Sequence, residues 1–280
     1  MLTWKVLTVK RRGLTRDVPP GIEDLEWVAN SSTLICGERD AVLVDAFMTT
    51  DQTRTQIDWI AASGKNLIAI YLTHAHGDHA YGLGPLLERF PGARGVALPE
   101  VVQVMRTPAP VEAVFRKAFP GQIPEQLTFA EPIGPDGLEL EGERLVPLRM
   151  GRTDTGSTTS LHVPSVGLVV AGDVVYAGIH PYLSETDTAS REEWSSALDK
   201  LEALSPRAVV AGHKVPESED DPRNIGRTRE YLRDFNRLDE TTTTARELYD
   251  AMLKLHPGRA NPGSLWGGAQ RAKALRGGGA

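Results

Sequence analysis

The sequence predicts an α/β fold in which mixed β-sheets pack against helices within one domain. Short apolar runs rich in β-branched residues alternate with longer segments of helical period. Several of the strand-like runs follow one another closely enough to form hairpins, which favours mixed sheets over a purely parallel winding. No fixed-period repeat and no Gly/Ser- or Pro-rich linker divides the 280 residues, so we expect a single domain over residues 1–280.

The first half of the chain is expected to start with a hairpin, because a Gly37–Asp40 turn separates two apolar runs. A helix should follow over 50–64, where Thr49 or Thr50 can cap it and Gly64 can end it. The run at 67–72 is apolar throughout and is typical of a strand buried on both faces. One further helix is expected to follow the histidine-rich turn and end at residue 87, and another to cover 99–119 with breaks at Pro108 and Pro110. The predicted strands of this half are 25–36, 41–45, 67–72, 95–98 and 127–129.

The second half should contribute another series of strands and a helical C-terminus. Residues 191–204 have helical period, and Ser190 with Glu193 is spaced as a capping box. The charged segment at about 222–256 is expected to be helical, chiefly over 224–255, and the glycine-rich tail at 270–280 to be flexible. The predicted strands here are 138–140, 145–150, 158–163, 167–171 and 208–211.

Composition excludes several classes of protein. With 40% hydrophobic and 24% charged residues, the chain is an ordinary globular one and neither disordered nor fibrous. Its 31 basic and 37 acidic residues give a net charge of −6, which offers no general attraction for nucleic acid or an anionic membrane. No apolar run approaches the roughly 20 residues that cross a bilayer. We expect a small-molecule partner; the oligomeric state is not determined by the sequence.

Cysteine content and the start of the chain bear on compartment. Cys36 is the single cysteine, which excludes an internal disulfide and a zinc cage built from cysteines. Residues 1–10 lack the apolar core and cleavage site of a secretory signal. A cytoplasmic location is therefore expected. The basic run Lys10–Arg12 is too short to indicate nucleic-acid binding, and we interpret it as a solvated strand end.

The most informative segment is the histidine-rich turn after the buried strand at 67–72. Three of the seven histidines occur within six residues, together with one aspartate: His74, His76, Asp78 and His79. Neutral imidazole is the commonest nitrogen ligand for metals, and a carboxylate adds charge that holds a divalent ion. His74 and His76 point the same way at a strand end, while Gly77 lets the chain turn before the next pair. This spacing predicts a metal site.

The pattern His74-Ala75-His76-Gly77-Asp78-His79 resembles the signature of the metallo-β-lactamase-fold hydrolases. Other residues of the family pattern occur in the same order and with similar spacing between about residues 25 and 215. Asp45 resembles the family's aspartate that hydrogen-bonds a metal ligand, Asp173 its bridging aspartate, and His213 its last histidine ligand. The resemblance implies an αβ/βα four-layer sandwich, with two mixed β-sheets flanked by helices and a metal site at one edge.

The resemblance also implies a ligand set and a reaction. One metal would be held by His74, His76 and a further histidine, the other by Asp78, His79 and His213, with Asp173 reaching both. The cofactor implied is zinc, as one or two ions, with manganese or iron as alternatives. A metal-bound hydroxide would then hydrolyse a small ester, lactone, thioester or related substrate. Asp78 would also receive a proton if its own metal position is empty.

One position departs from the family pattern. Arg152 stands where the further histidine of the first site is expected. A guanidinium stays protonated and has no lone pair to donate, and its charge repels a cation. Arg152 can swing away and leave a weak first site, only the second site can fill, or Arg152 can replace the metal as a fixed cation for a substrate anion. We favour a weakened first site or a single metal; the alternative is a non-catalytic or regulatory binding module that keeps the fold.

Four further side chains are candidates at the same edge. His180 lies in a loop shortly after Asp173, where it is expected to contact substrate or donate a proton as a catalytic residue. Candidates for orienting a substrate oxyanion are Tyr176, Tyr182 and Lys214.

Overall fold

The computed structural model describes residues 1–14, 17–19 and 22–277. Within these ranges the strands form two sheets. The first sheet is hydrogen-bonded in the order β1 (Thr3–Arg12), β2 (Trp27–Cys36), β3 (Asp40–Val44), β4 (Asn66–Tyr71), β5 (Arg94–Ala97) and β6 (Glu131–Pro132). The second has the order β11 (Ala208–Lys214), β10 (Leu168–Ala177), β9 (Thr158–Val163), β8 (Glu143–Gly151) and β7 (Leu138–Leu140).

Both sheets are mixed, as the hairpin spacing predicts. β1, β2 and β3 pair antiparallel, and β3 to β6 then pair parallel. In the second sheet β7 to β10 pair antiparallel, and β11 joins β10 in parallel. The helices are α1 (Thr50–Ala61), α2 (Gly77–Ala80), α3 (Leu83–Arg89), α4 (Pro99–Met105), α5 (Val111–Ala118), α6 (Thr188–Ala203), α7 (Arg223–Thr241), α8 (Ala245–Leu255) and α9 (Pro262–Leu275).

The core has three layers because successive side chains of a strand point to opposite faces. Ile35 packs between the sheets, whereas its neighbour Leu34 packs against the helices outside the first sheet. Val170 and Val169 divide in the same way in the second sheet. Helices α1, α3 and α4 cover the first sheet, and α6 to α9 cover the second. The predicted αβ/βα sandwich of two mixed sheets flanked by helices is confirmed.

Several predicted elements differ in the structure. The predicted strand at 127–129 is absent from the described residues, and the short β6 begins two residues later. The capping box of α6 is one turn earlier than predicted, because Asp187 caps the helix and Ser190 closes the box. The segment 224–255 forms two helices, since Thr244 caps a new helix after α7 ends at Thr241.

The expected flexible tail at 270–280 is wrong for its first residues. Residues 270–275 belong to α9, whose Lys273 is buried and bonded to Asp239 of α7. Residues 278–280 of that segment lie outside the described residues. Cys36 is a buried strand residue, as expected. Among the helices of the described residues, none combines the length and apolar character that crossing a bilayer requires.

Candidate metal centre

The predicted ligands come together at one edge of the sandwich. His74 and His76 follow β4, and α2 carries Asp78 and His79 one turn further on. Asp173 lies on β10 and His213 on β11, in strands of the other sheet. The site therefore forms only where the two sheets meet.

An irregularity in β10 brings Asp173 into the site. The pairing of β10 with β11 shifts register on both sides of Gly172. Gly172 has φ +56°, and a Cβ there would lie 2.8 Å from the hydroxyl of Thr73. Glycine is needed because other residues rarely adopt this conformation and would also clash. The resulting bulge places the Asp173 carboxylate between the two groups of ligands described next.

The first group of donors consists of His74, His76, Asp154 and Asp173. Asp154 Oδ2 lies 3.1 Å from His76 Nδ1 and 3.7 Å from His74 Nε2. Three of the donor atoms are buried without a hydrogen-bond partner: His74 Nε2, Asp154 Oδ2 and Asp173 Oδ1. Since buried polar atoms are nearly always satisfied, these atoms are suited to binding a cation that would accept their lone pairs.

The second group of donors consists of Asp78, His79 and His213. His79 Nε2 lies 3.4 Å from His213 Nε2 and 3.1 Å from Asp173 Oδ1. The other oxygen of Asp173 is 3.1 Å from His213 Nε2. Asp173 therefore contacts the second group while belonging to the first, which is the bridging position that the resemblance implies.

Each histidine has one ring nitrogen that faces away from the other donors and contacts a hydrogen-bond acceptor. The other ring nitrogen faces the donors and is left to bind metal. His79 Nδ1 donates to Asp45 Oδ2 at 2.9 Å, and His213 Nδ1 donates to the carbonyl of Ala29 at 2.9 Å. His76 Nε2 faces Glu185 Oε1 at 3.2 Å. His74 Nδ1 donates to the Thr73 hydroxyl at 3.0 Å, since that hydroxyl gives its own proton to Asp45 Oδ2.

The electrostatics of the site suit a cation. Burial, and then the nearby charge of His79, lower the pKa of His74 to about 4, so this imidazole is neutral at pH 7. Burial alone would also lower the pKa of His79, but the carboxylates of Asp173 and Asp45 outweigh it and raise that pKa. The residues present thus fit a divalent metal: imidazole nitrogens, ionised carboxylates and unsatisfied inward atoms.

Arg152 does not enter the cluster. Its side chain is exposed and donates to the backbone carbonyl of Glu185 at 3.3 Å. Asp154, two residues later in the same turn and buried, lies with His74, His76 and Asp173, where a further donor of the first group is expected. Asp154 is absent from the ligands predicted from the sequence because the family pattern has a histidine in this turn; an acidic residue in the Thr-rich turn was the available signal.

Glu185 is a second residue that the sequence did not indicate. It holds His76 with one carboxylate oxygen, and its other oxygen accepts a bond from the Thr155 hydroxyl at 2.7 Å. It lies in the loop after β10, more than a hundred residues from His76. No local pattern connects them, so only the fold reveals the contact.

Two of the other candidates do reach the centre. The Tyr176 hydroxyl donates to Asp173 Oδ2 at 2.7 Å, and its ring stacks on His213 with 5.4 Å between centroids. Burial and the charge of Asp173 raise the pKa of Tyr176, so the phenol remains a donor. Tyr182 meets His76 edge to face at 5.6 Å and lines the cavity.

His180 and Lys214 lie away from the centre, and their expected roles there are not supported. His180 is fully buried beside Tyr231, whose hydroxyl lies 2.9 Å from its Nδ1. Lys214 is buried and paired with Asp220 at 2.6 Å. Neither side chain lines the cavity at the cluster. Sequence proximity to a ligand was misleading for two reasons. Lys214 follows His213 directly on β11, and successive side chains of a strand point to opposite faces. His180 lies beyond the end of β10 and packs against Tyr231 of α7.

Arg11 contradicts the interpretation of residues 10–12 as a solvated strand end. Its side chain is only 10% exposed, and Nη2 lies 3.0 Å from Asp78 Oδ2. Asn30 Nδ2 contacts the same oxygen at 3.0 Å. Burial would raise the pKa of Asp78, but the charges of His79 and Arg11 outweigh it and hold that pKa well below its usual range. Asp78 is therefore ionised at neutral pH.

A cavity of about 640 Å³ opens directly over the cluster. The ligands His76, Asp78, Asp173 and His213 form part of its floor, with Tyr182 beside them. Its lining also includes residues of α4, α5 and the segment around Phe129. This volume suits a small organic molecule.

Comparisons with known proteins agree with this architecture. The chain is 26% identical over 203 residues to the hydroxyacylglutathione hydrolase of Chromohalobacter salexigens, across 66% of this chain and 74% of that protein. It shares the fold of a metallo-beta-lactamase family protein from Thermus thermophilus, with a TM-score of 0.64 and 23% identity over 98% of this chain and 93% of that one.

The fold is also that of a metallo-beta-lactamase from Pseudomonas aeruginosa in its mono-zinc form, with a TM-score of 0.59 and 17% identity over 82% of this chain and 91% of that one. At this identity the two structural likenesses show the fold alone. A family model described as the metallo-beta-lactamase superfamily matches residues 25–213. The chain therefore belongs to the metallo-beta-lactamase superfamily, as the pattern around His74 predicts.

Proposed function

We propose that the protein is a metal-dependent hydrolase of a small ester, lactone, thioester or related substrate. The observation that carries the proposal is the set of buried donor atoms without a hydrogen bond on His74, Asp154 and Asp173. Asp173 and the neighbouring donor His76 also line the cavity. The similarity to a hydroxyacylglutathione hydrolase supports hydrolysis, and that name denotes a thioester substrate. Zinc is the preferred metal because the donors are nitrogen and carboxylate oxygen.

The chain holds the metal with the two groups of donors already described. The chemistry that a divalent ion would supply there is hydroxide at neutral pH and polarisation of the bond to be cleaved. Asp154 takes the place of a third histidine in the first group, which therefore has two carboxylates and two imidazoles. The additional negative charge strengthens the hold on a dication.

Other residues prepare the cavity for substrate. The Tyr176 hydroxyl keeps one oxygen of Asp173 hydrogen-bonded, so the carboxylate has a fixed orientation. The ionised carboxylate of Asp78 lines the cavity and is placed to orient a water molecule. Tyr182, which also lines the cavity, is placed to contact the substrate.

Metal analysis of the purified chain and a panel of thioester, lactone, β-lactam and phosphoester substrates test the proposal. Asp154→Ala and His76→Gln should each lower metal content and reduce hydrolysis by at least about a hundredfold. His162→Gln is a matched control, because His162 lies in β9 and outside both groups of donors. Hydrolysis that persists in both variants, or no metal uptake by the wild type, would contradict the proposal.

The alternative of a non-catalytic module rested on Arg152, which leaves it without structural support. Arg152 points to the Glu185 carbonyl, and the ligand position is filled by Asp154. We therefore expect Arg152→His to bring no gain in metal content or rate. A large gain would mean that position 152 does belong to the first group.

A further inference from the structure

We propose that the two groups of donors bind metal with unequal affinity, the first group tightly and the second weakly, because Arg11 supplies the second group with positive charge of its own. The inference rests on metal binding as set out under the proposed function. What is new is which of the two metal positions an ion occupies first, and that Arg11 sets how many ions the protein binds.

The charges of the two groups differ because Arg11 is paired with a carboxylate of the second group. Asp173 contacts both groups, so its charge is shared between them. The other carboxylate of the first group is Asp154, and that of the second is Asp78, which is paired with Arg11. A dication in the first position would meet the negative charge of Asp154, whereas one in the second would meet a pair that is already neutral.

The contacts of Asp78 strengthen the same conclusion. Its Oδ2 accepts hydrogen bonds from both Arg11 and Asn30 at 3.0 Å, and this oxygen also lies 3.6 Å from His213 Nε2. The oxygen nearest the histidine has thus already used lone pairs that a metal would need. Asp78 would have to share or exchange these bonds in order to bind an ion.

Arg11 is held in place, so it cannot easily move its charge away. Only 10% of its side chain is exposed, and the guanidinium lies over the ring of Phe119 at 5.8 Å. Repulsion between this cation and a dication is stronger in a partly buried site than in water. We expect a difference of about tenfold to a hundredfold in affinity between the two groups.

Zinc titration of the metal-free full-length chain by calorimetry, with metal analysis after gel filtration, tests this inference. The wild type should retain one ion through gel filtration and bind a second with affinity at least about tenfold weaker. Arg11→Gln should raise the second affinity by about tenfold or more and leave the first unchanged. Arg12→Gln is the matched control, because Arg12 is the exposed neighbour on the same strand.

The outcomes separate the two proposals. A wild type that binds no zinc would refute the proposed function, and this inference with it. Two ions of equal affinity in the wild type, or an unchanged second affinity in a folded Arg11→Gln chain, would overturn the inference alone. If Arg11→Gln does not fold, the ratio of the two affinities in the wild type still decides.

From a separate observation we infer that the substrate carries an apolar acyl or aromatic group. An apolar part of the cavity lining is formed by Val104, Met105, Val111, Phe115, Leu127 and Phe129. Val104, Val111 and Phe129 remain 43%, 42% and 46% exposed, although large apolar side chains are usually buried. Glu112 is part of the same wall but is bonded to Arg116.

The position of this wall indicates its occupant. It lines the same cavity of about 640 Å³ as the donors His76, Asp78, Asp173 and His213, so a substrate with an extended apolar group at the centre would have these side chains within the same cavity. Burial of each methylene on such a surface favours binding by roughly two- to fourfold. A substrate with an apolar chain of several carbons should therefore be preferred to its acetyl counterpart.

A series of acyl thioesters from two to ten carbons tests this second inference. The specificity constant kcat/KM should rise with chain length, chiefly through KM, and Val111→Ser should flatten the rise. Val114→Ser is the matched control, because Val114 lies on the same helix and is 54% exposed but does not line the cavity. Binding of decanoate, followed by calorimetry, gives a readout that needs no turnover.

The two possible failures can be told apart. No hydrolysis of any chain length would count against the proposed function. Hydrolysis that does not depend on chain length, or a rise that Val111→Ser and Val114→Ser reduce equally, would overturn the inference about the substrate.

Discussion

At the scale of single residues, Asp45 connects the two groups of donors. Its Oδ2 accepts a bond from His79 and another from the Thr73 hydroxyl, which in turn accepts from His74. Its Oδ1 accepts the backbone N–H of Thr73 at 2.8 Å. Asp45 has φ +64°, a conformation that aspartate tolerates better than most residues. One buried carboxylate thus sets the tautomer of a histidine in each group.

Asp45→Asn is expected to lower metal affinity by about tenfold to a hundredfold, because the amide cannot accept both protons equally well. Both groups should weaken, as His74 and His79 depend on the same oxygen. Thr73→Val should weaken the first group alone, since His79 keeps its own bond to Asp45. Zinc titration of both variants checks this, with Asp51→Asn as an exposed control. If Asp45→Asn and Thr73→Val lost equal zinc affinity at both groups, this would be evidence against the hydrogen-bond chain from Asp45 through Thr73 to His74.

The sequence predicted the residues of the centre unevenly. His74, His76, Asp78 and His79 were found because they are adjacent, and Asp173 and His213 because each follows an apolar strand. Asp154 and Glu185 were missed because a single acidic residue in a loop carries no local signal. Arg11 was missed because its burial depends on β1 crossing beside α2, which local sequence does not encode.

At the scale of elements, the β2–β3 hairpin is closed by a residue from the other sheet. The Glu141 carboxylate accepts backbone N–H bonds from Glu38, Arg39 and Asp40, at 2.6 to 2.9 Å. The bonds from Arg39, then Asp40 and Glu38, lower the pKa of Glu141 from 4.5 to about 2. The sequence predicted the turn at Gly37–Asp40 but not the contact of this turn with Glu141.

Glu141→Gln should destabilise the protein in a pH-dependent way. The folded pKa lies below the unfolded one, so the carboxylate stabilises the fold above about pH 4.5 and loses this effect as the pH falls towards about 2. Urea unfolding of both chains should therefore give a lower midpoint for the variant near neutral pH and a smaller difference at about pH 3. A difference that stays constant with pH would exclude the proposed cause.

The C-terminal helices are joined by a buried charge cluster around Asp239. Asp239 of α7 bonds Lys273 of α9 at 2.7 Å and Arg276 at 2.9 Å, and Arg191 of α6 lies 3.9 Å away. Lys273 also donates to two backbone carbonyls. These bonds explain why residues 270–275 are helical where a glycine-rich ending suggested a flexible tail.

Asp239→Ala should cost about 3–5 kcal/mol, because it leaves Lys273 and Arg191 buried without their counter-charge. Asp250→Ala is the matched control, since Asp250 forms an exposed pair with Arg246 that is worth about 0.5 kcal/mol or less. Denaturant unfolding measures both. A loss for Asp239→Ala no greater than that of the control would mean that the cluster contributes little to stability.

At the scale of the whole molecule, both sheets contribute to one shared core. Val42, Val44 and Tyr71 from the first sheet pack against Leu161 and Val170 from the second. The metal donors likewise come from both sheets. Neither sheet can keep its inner face buried without the other sheet, so we expect the chain to unfold as one unit.

Differential scanning calorimetry should therefore show a single transition whose calorimetric and van't Hoff enthalpies agree. Addition of a chelator to the zinc-loaded protein should lower Tm without dividing the transition, because the ligand stabilises only the folded state. Two resolved transitions would mean that the sheets are separate folding units.

What the sequence determined by itself was local. Periodicity of 2 and 3.6 residues placed most strands and helices, since side-chain direction repeats with the backbone. The histidine-rich turn indicated the family, because the residues of its pattern are neighbours along the chain.

What only the tertiary structure decided was contact between distant segments. Asp154 completes the first group, Glu185 orients His76, and Arg11 neutralises Asp78 across 67 residues. The first two contacts depend on how the two sheets close against one another, and the third depends on β1 lying beside α2. The charge at the metal centre is a sum over converging side chains, and no single stretch of sequence contains it.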